Sequence, residues 1–120
     1  MLTTEEKTQA VVAALEDIKA ARITVIDTSK LSSLFDRMVI ASAASKRQTK
    51  ALADNVVAKL KERGEEALGC EGEESGEWIL VDLNEVLVHI MQPAVRDYYN
   101  LEELWNKAQT ARPRLAKPPK

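Results

Sequence analysis

The chain has 120 residues, 45% of them hydrophobic and 30% charged, with one cysteine and a formal net charge of −2. That length suits a single domain around one core, and no apolar run approaches the ~20 residues that cross a bilayer. The polar start Met1–Lys7 lacks the basic head and apolar stretch of a secretion signal, and lone Cys70 cannot form an internal disulfide, so a cytoplasmic protein is expected.

Thr3 and Glu6 stand at capping-box spacing ahead of Val11, Leu15 and Ile18, whose i, i+4, i+7 pattern predicts a first helix. Ile23 and Val25 alternate with Thr24 before the turn formers Asp27 and Thr28, which predicts a short strand over Arg22–Ile26, then a loop through Leu34. Met38–Ala41 is apolar on both sides, as a buried parallel strand would be. Ser45 and Gln48 repeat the capping-box spacing, and Leu52, Val56 and Leu60 predict a second helix that Gly64 stops. A strand followed by a capped helix implies a crossover to another strand, for which Leu68–Glu71 is the candidate. After the acidic loop Gly72–Gly76, Trp78–Asp82 and Val86–Met91 read as a hairpin joined by Leu83-Asn84-Glu85. Pro93 ends that strand and suits a helix start, placing Val95, Tyr98 and Tyr99 on a short turn before Leu101–Trp105. One body over 1–105 and a basic, Pro-containing, flexible tail over 106–120 are expected.

Charge is unevenly spread. Residues 1–105 hold twelve basic and nineteen acidic groups, a net of −7, and no Lys or Arg falls between Arg63 and Arg96, where Glu65, Glu66, Glu71, Glu73, Glu74, Glu77, Asp82 and Glu85 lie. Such a body repels phosphate backbones and favours a basic partner, so little direct RNA contact is expected.

No pattern supplies a catalytic set. Gly64 and Gly69 have phosphate-loop spacing, but Cys70 and Glu71 follow where a phosphate loop needs Lys. The Ser42–Ser45 turn with Lys46 and Arg47 offers an anion cradle in principle, against the commoner reading of an ordinary helix cap. Asp82-Leu83-Asn84 brings one carboxylate where metal-assisted transfer needs a cluster, and His89 is the only histidine, so neither metal nor cofactor is expected. Four of the five aromatics, Trp78, Tyr98, Tyr99 and Trp105, follow the acidic loop, and Trp and Tyr anchor interfaces as well as cores. Alternation puts Ile79 and Val81 on one strand face, the expected core side, and Trp78, Leu80 and Asp82 on the other.

These residues fall in ordered blocks: Asp36 before Met38-Val39-Ile40-Ala41, Ser45-x-Arg47-Gln48, Ala51-Leu52-Ala53, Gly69-x-Glu71-Gly72, Gly76-x-Trp78, Leu80-x-Asp82, Val88-His89, Arg96-x-Tyr98-Tyr99 and Leu101-Glu102-x-Leu104-Trp105. From Ile23 to Trp105 the chain resembles the ribosomal silencing factor family, also called Iojap-like. It departs from the family pattern at Ala43 and Asn84, where glycine is usual, and at Arg37, where an aromatic is frequent. The resemblance implies an α/β fold, a mixed β-sheet flanked by helices, similar in topology to nucleotidyltransferases but without their catalytic carboxylates. It implies a non-enzymatic repressor that binds the large ribosomal subunit through the L-fourteen ribosomal protein and blocks joining of the small subunit. The partner-binding residues it suggests are Trp78, Asp82, His89, Met91, Arg96, Tyr98 and Tyr99, with Asp36 and Arg47 structural and a homodimer of the free protein compatible. A large-subunit assembly factor, or a nucleotidyltransferase-like enzyme using the Ser42–Ser45 turn and Asp82, are the alternatives.

Overall fold

The computed structural model describes residues 2–110, with side-chain environments through Trp105. The first helix, α1 (Thr4–Asp17), begins with both halves of the expected capping box: Glu6 N–H donates to Thr3 Oγ1 at 3.0 Å, and Thr3 N–H donates to Glu6 Oε1 at 2.9 Å. Strand β1 (Ala21–Asp27) follows and pairs antiparallel with β2 (Arg37–Ser42), the register slipping between Ala21 and Thr24 where Arg22 takes φ 52°. Helix α2 (Lys46–Glu62) carries half of its predicted box. Ser45 Oγ accepts from Gln48 N–H, while the Gln48 side chain turns away to accept from Ala44 N–H and to donate to the carbonyls of Ile18 and Lys19.

The crossover strand is β3 (Gly69–Glu71), one residue shorter than expected, and the hairpin strands are β4 (Trp78–Asp82) and β5 (Val86–Met91). In space the order is β1-β2-β5-β4-β3, with β2 and β5 parallel and the remaining pairs antiparallel. The sheet is therefore mixed, and helices flank it, as expected. Val95, Tyr98 and Tyr99 lie on a true helix, α3 (Pro93–Tyr99), not on a turn. Asn100, at φ 49° and ψ 56°, ends α3, and its side chain accepts from Glu103 N–H to open α4 (Leu101–Thr110). Helix α4 runs past the expected domain limit at residue 105, and the Pro-containing remainder of the tail lies outside the described residues.

Side-chain alternation divides the core in two. On one face α1 and α2 pack Val11, Leu15, Leu52, Val56 and Leu60 against Val39, Ala41, Ile79, Val81, Val88 and Ile90. Each fully buried Leu or Val there contributes about 1.5–3 kcal/mol of transfer free energy. On the other face a smaller cluster of Ile26, Met38, Ile40, Met91 and Trp105 is covered by the chain around Leu31, Phe35, Val95 and Leu101. Ala43 is not among the described residues with positive φ; it is 3% exposed, and its N–H donates to Met91 O, so alanine meets no backbone strain at a place where glycine is usual. Asn84 does adopt φ 79°, a conformation Asn tolerates better than most L-residues.

Candidate functional site

The second face of the sheet is only partly roofed. Trp78 and Leu80 on β4 and Leu87 and His89 on β5 line this face; Trp78 packs at the edge of the Met91–Trp105 cluster, and all four but the buried His89 are half-buried. Alternation explains the set, because these positions share a face and neighbour one another across the antiparallel register, Leu80 opposite His89 and Trp78 opposite Met91. Helix α3 then lays Tyr99 over Trp78, ring centroids 4.8 Å apart, and Tyr98 meets Tyr99 edge-on at 5.0 Å and 85°. The series ends at His89, whose ring centroid is 5.7 Å from that of Trp78. Exposure rises along it from 8% at His89 to 52% at Tyr99 and 81% at Tyr98.

His89 Nδ1 accepts a 2.9 Å hydrogen bond from Trp78 Nε1, which fixes the indole in plane and leaves the imidazole proton on Nε2. Burial pushes the His89 pKa down to about 4, so the ring is neutral at physiological pH. Beside this pair lies a shallow hollow of ≈ 260 Å³ lined by Glu71, Gly72, Trp78, Leu80 and His89. Its rim depends on Gly72, at φ 91°, because any Cβ there would collide with the Trp78 carbonyl.

Of the seven residues singled out in the sequence, Trp78, Tyr98 and Tyr99 come together as one exposed aromatic surface with His89 beneath. Asp82 lies at the far end of β4, where its carboxylate accepts from Asn84 N–H at 2.9 Å and holds the hairpin bend. Met91 and Arg96 present no surface in the unbound chain. Met91 is 0% exposed because β5 is an interior strand and α4 covers its end, and Arg96 is 1% exposed because the helices fold over it. The Arg96 guanidinium donates to Ser42 Oγ at 2.8 Å, to Thr24 Oγ1 at 3.0 Å and to both oxygens of Glu102, the shorter at 2.6 Å. The hydrogen bond from Arg96 holds the Glu102 carboxyl below the ordinary range. Arg96 is thus the pin that sets α3, and with it the tyrosines, over the sheet. That Thr24, Ser42 and Glu102 are the partners of Arg96 is not legible in the sequence, because no local spacing links the four residues.

These groups can bind but are poorly disposed to move protons. His89 is held neutral and already accepts from Trp78, and burial together with Glu73 pushes the Cys70 thiol up to about 11. Among the described residues no three His, Cys, Asp or Glu side chains are grouped to hold a metal ion, and no helix is long and apolar enough to cross a membrane.

Fold and site together define an α/β protein with an exposed aromatic face flanked by acidic residues. The chain matches the family described as "Ribosomal silencing factor during starvation" over residues 2–120. It is 56% identical over 101 residues to the ribosomal silencing factor of Chromobacterium violaceum, covering 84% of this chain and 83% of that one. It is 32% identical over 97 residues to the mouse protein named "Mitochondrial assembly of ribosomal large subunit protein 1", 78% of this chain but 42% of that longer one. A crystal structure of a Chromobacterium violaceum protein superposes with a TM-score of 0.86 at 54% identity, covering 88% of each chain, and one from Bacillus halodurans with 0.77 at 34% identity, covering 85% and 95%. The chain belongs to the ribosomal silencing factor family.

Proposed function

We propose that the protein binds the large ribosomal subunit through the L-fourteen ribosomal protein and, by occupying that surface, sterically blocks joining of the small subunit, repressing translation without catalysis. The carrying observation is the Tyr98–Tyr99–Trp78 stack, whose outer ring is 81% exposed at the edge of an open sheet face. Large aromatics held rigidly and half in solvent are the residues from which interface hot spots are made. The stretch leading into Trp78 carries exposed Glu71, Glu73, Glu74 and Glu77, and no Lys or Arg occurs anywhere in residues 64–95, which complements a basic protein surface. Family membership supplies the ribosomal setting, and the similarity to bacterial relatives supports a cytoplasmic site of action.

Sedimentation tests this directly. The intact chain is expected to travel with large subunits and to lower the yield of joined ribosomes, and Tyr98→Ala to weaken both by about tenfold or more, as removal of a hot-spot side chain does. Equal binding by a folded Tyr98→Ala protein removes the stack from the interface. The name of the mouse relative favours a second reading, binding to maturing large subunits. Stronger retention on immature than on mature subunits would select it.

A further inference from the structure

The body's net acidity conceals a segment of opposite sign. Residues 19–50 hold seven basic groups and two acidic ones, while 64–95 hold eight acidic and none basic. The fold gathers part of that segment at one pole. The Gln48 side chain ties the carbonyls of Ile18 and Lys19, at the end of α1, to the first turn of α2, so Lys19 lies at the same end of the helical layer as Lys46, Arg47 and Lys50. All four are exposed, and none takes part in an ion pair among the described residues. Arg22, in the same basic segment, is by contrast held by Asp97 at 3.3 Å.

The arrangement works against local stability. Cations at the start of a helix oppose its dipole, and α2 has no acidic residue in its first turn, whereas α1 has Glu5 and Glu6 and α4 has Glu102 and Glu103. Lys46 also packs over Gly76, so this pole borders the loop that leads into Trp78. A second contact is thereby set next to the aromatic stack but on the helical side of the sheet.

We infer that Lys19, Lys46, Arg47 and Lys50 form a docking surface for the phosphate backbone of ribosomal RNA. This rests on the proposed binding to the large subunit and gives that binding a second, RNA-facing contact. The chemistry fits RNA rather than a protein groove: four solvated point charges, with no large apolar side chain among them, neutralise phosphates through counterion release and read no sequence. The expectation of little RNA contact followed from the charge of the whole body; folding separates its signs.

The test uses the full chain and the triple substitution Lys46→Gln, Arg47→Gln, Lys50→Gln, which touches only exposed side chains and is expected to leave the melting temperature unchanged or raised. Binding is measured against large subunits, against protein-free large-subunit ribosomal RNA and against the isolated L-fourteen protein, each over a salt series. The triple variant is expected to lose about tenfold in affinity for subunits and for RNA at 0.1 M salt, with a salt slope shallower by about 2. Its binding to the isolated protein should match that of the parent chain. Unchanged affinity and slope on RNA would overturn the inference, as would a matching loss on the isolated protein, which would assign the patch to that partner. Failure of the parent chain to bind subunits would instead sink the proposed function, and the RNA arm would still decide this surface.

Discussion

On the helical side of the sheet, Val39, Ala41, Val81, Val88 and Ile90 have no solvent exposure, whereas the opposite side passes from Met91 at 0% through His89 at 8% to Tyr98 at 81% within a few residues. The first side is closed by the apolar faces of two long helices, α1 and α2. The second is closed only as far as α4 reaches, and its remaining surface is held in place by polar contacts: Arg96 to Glu102, Ser42 and Thr24, and Trp78 to His89. Apolar packing supplies stability without direction, while hydrogen-bonded pins fix the position of rings that stand partly in solvent.

The largest effects should come from breaking one anchor on each side. Arg96→Ala strands Glu102 and leaves two hydroxyls without their donor, so a loss of about 3–5 kcal/mol is expected in urea unfolding, together with weaker subunit binding because α3 loses its seat. Leu52→Ala, on the closed side, should cost about 2–5 kcal/mol through the cavity it leaves. In conditions where it remains folded, Leu52→Ala should bind subunits like the parent chain. Equal binding defects in the two folded variants would erase the proposed division of labour between the faces.

Acid separates the faces next. The His89 pKa lies at about 4 in the folded chain against 6.5 ordinarily, so between those values the unfolded chain binds the extra proton. Stability from this group is complete above pH 6.5 and declines as pH falls toward 4, by roughly 3 kcal/mol in all. Glu102, lowered by Arg96, begins to contribute its own loss only as pH falls below its ordinary 4.5. Thermal unfolding followed from pH 7 to 5 should therefore show a decline that His89→Gln flattens. A parallel decline in that variant would rule His89 out as its source.

Much of this architecture is written in local pattern. The β4–β5 hairpin spans the two expected runs residue for residue, and the inward positions of β4, Ile79 and Val81, follow from alternation alone. What alternation cannot supply is the cover on the other face. Met91 and Arg96 are expected at the surface on the strength of the resemblance, yet Met91 is covered by α4 and Arg96 turns inward from α3, toward Glu102 on α4 and toward Ser42 and Thr24 far back along the chain. The place of β5 between β2 and β4 is equally non-local. Summed charge is blind to placement for a related reason, since it cannot report that Lys19 and the start of α2 lie at one end of the molecule.

Smaller changes sharpen the contrast between what holds the fold and what is offered to a partner. Tyr98 makes an edge contact with Tyr99 and is otherwise in solvent, so Tyr98→Ala should shift unfolding free energy by no more than about 0.5 kcal/mol while weakening subunit binding. A stability loss above about 2 kcal/mol would place Tyr98 in the structural framework instead.

The smallest effect is expected at the bend joining β4 to β5. Asn84 sits at φ 79° with its N–H donating to the Asp82 carboxylate, and Lys7 closes the bend from below, donating to Leu83 O at 3.0 Å and to Glu85 at 2.9 Å. Burial opposes the Lys7 charge, but the hydrogen bonds to Glu85 and Glu65 outweigh it and raise its pKa, so this clasp stays charged through the neutral range. With the bend held from both sides, residue 84 contributes mainly its tolerance of positive φ. Asn84→Gly should then be neutral to within about 0.5 kcal/mol, relief of the backbone being offset by a freer unfolded chain, while Asn84→Ala should cost about 1 kcal/mol. Neither should alter subunit binding, because the bend lies at the end of β4 away from Trp78. A binding loss in folded Asn84→Ala would extend the recognition face along the hairpin to Asp82, whose carboxylate is otherwise occupied with the bend.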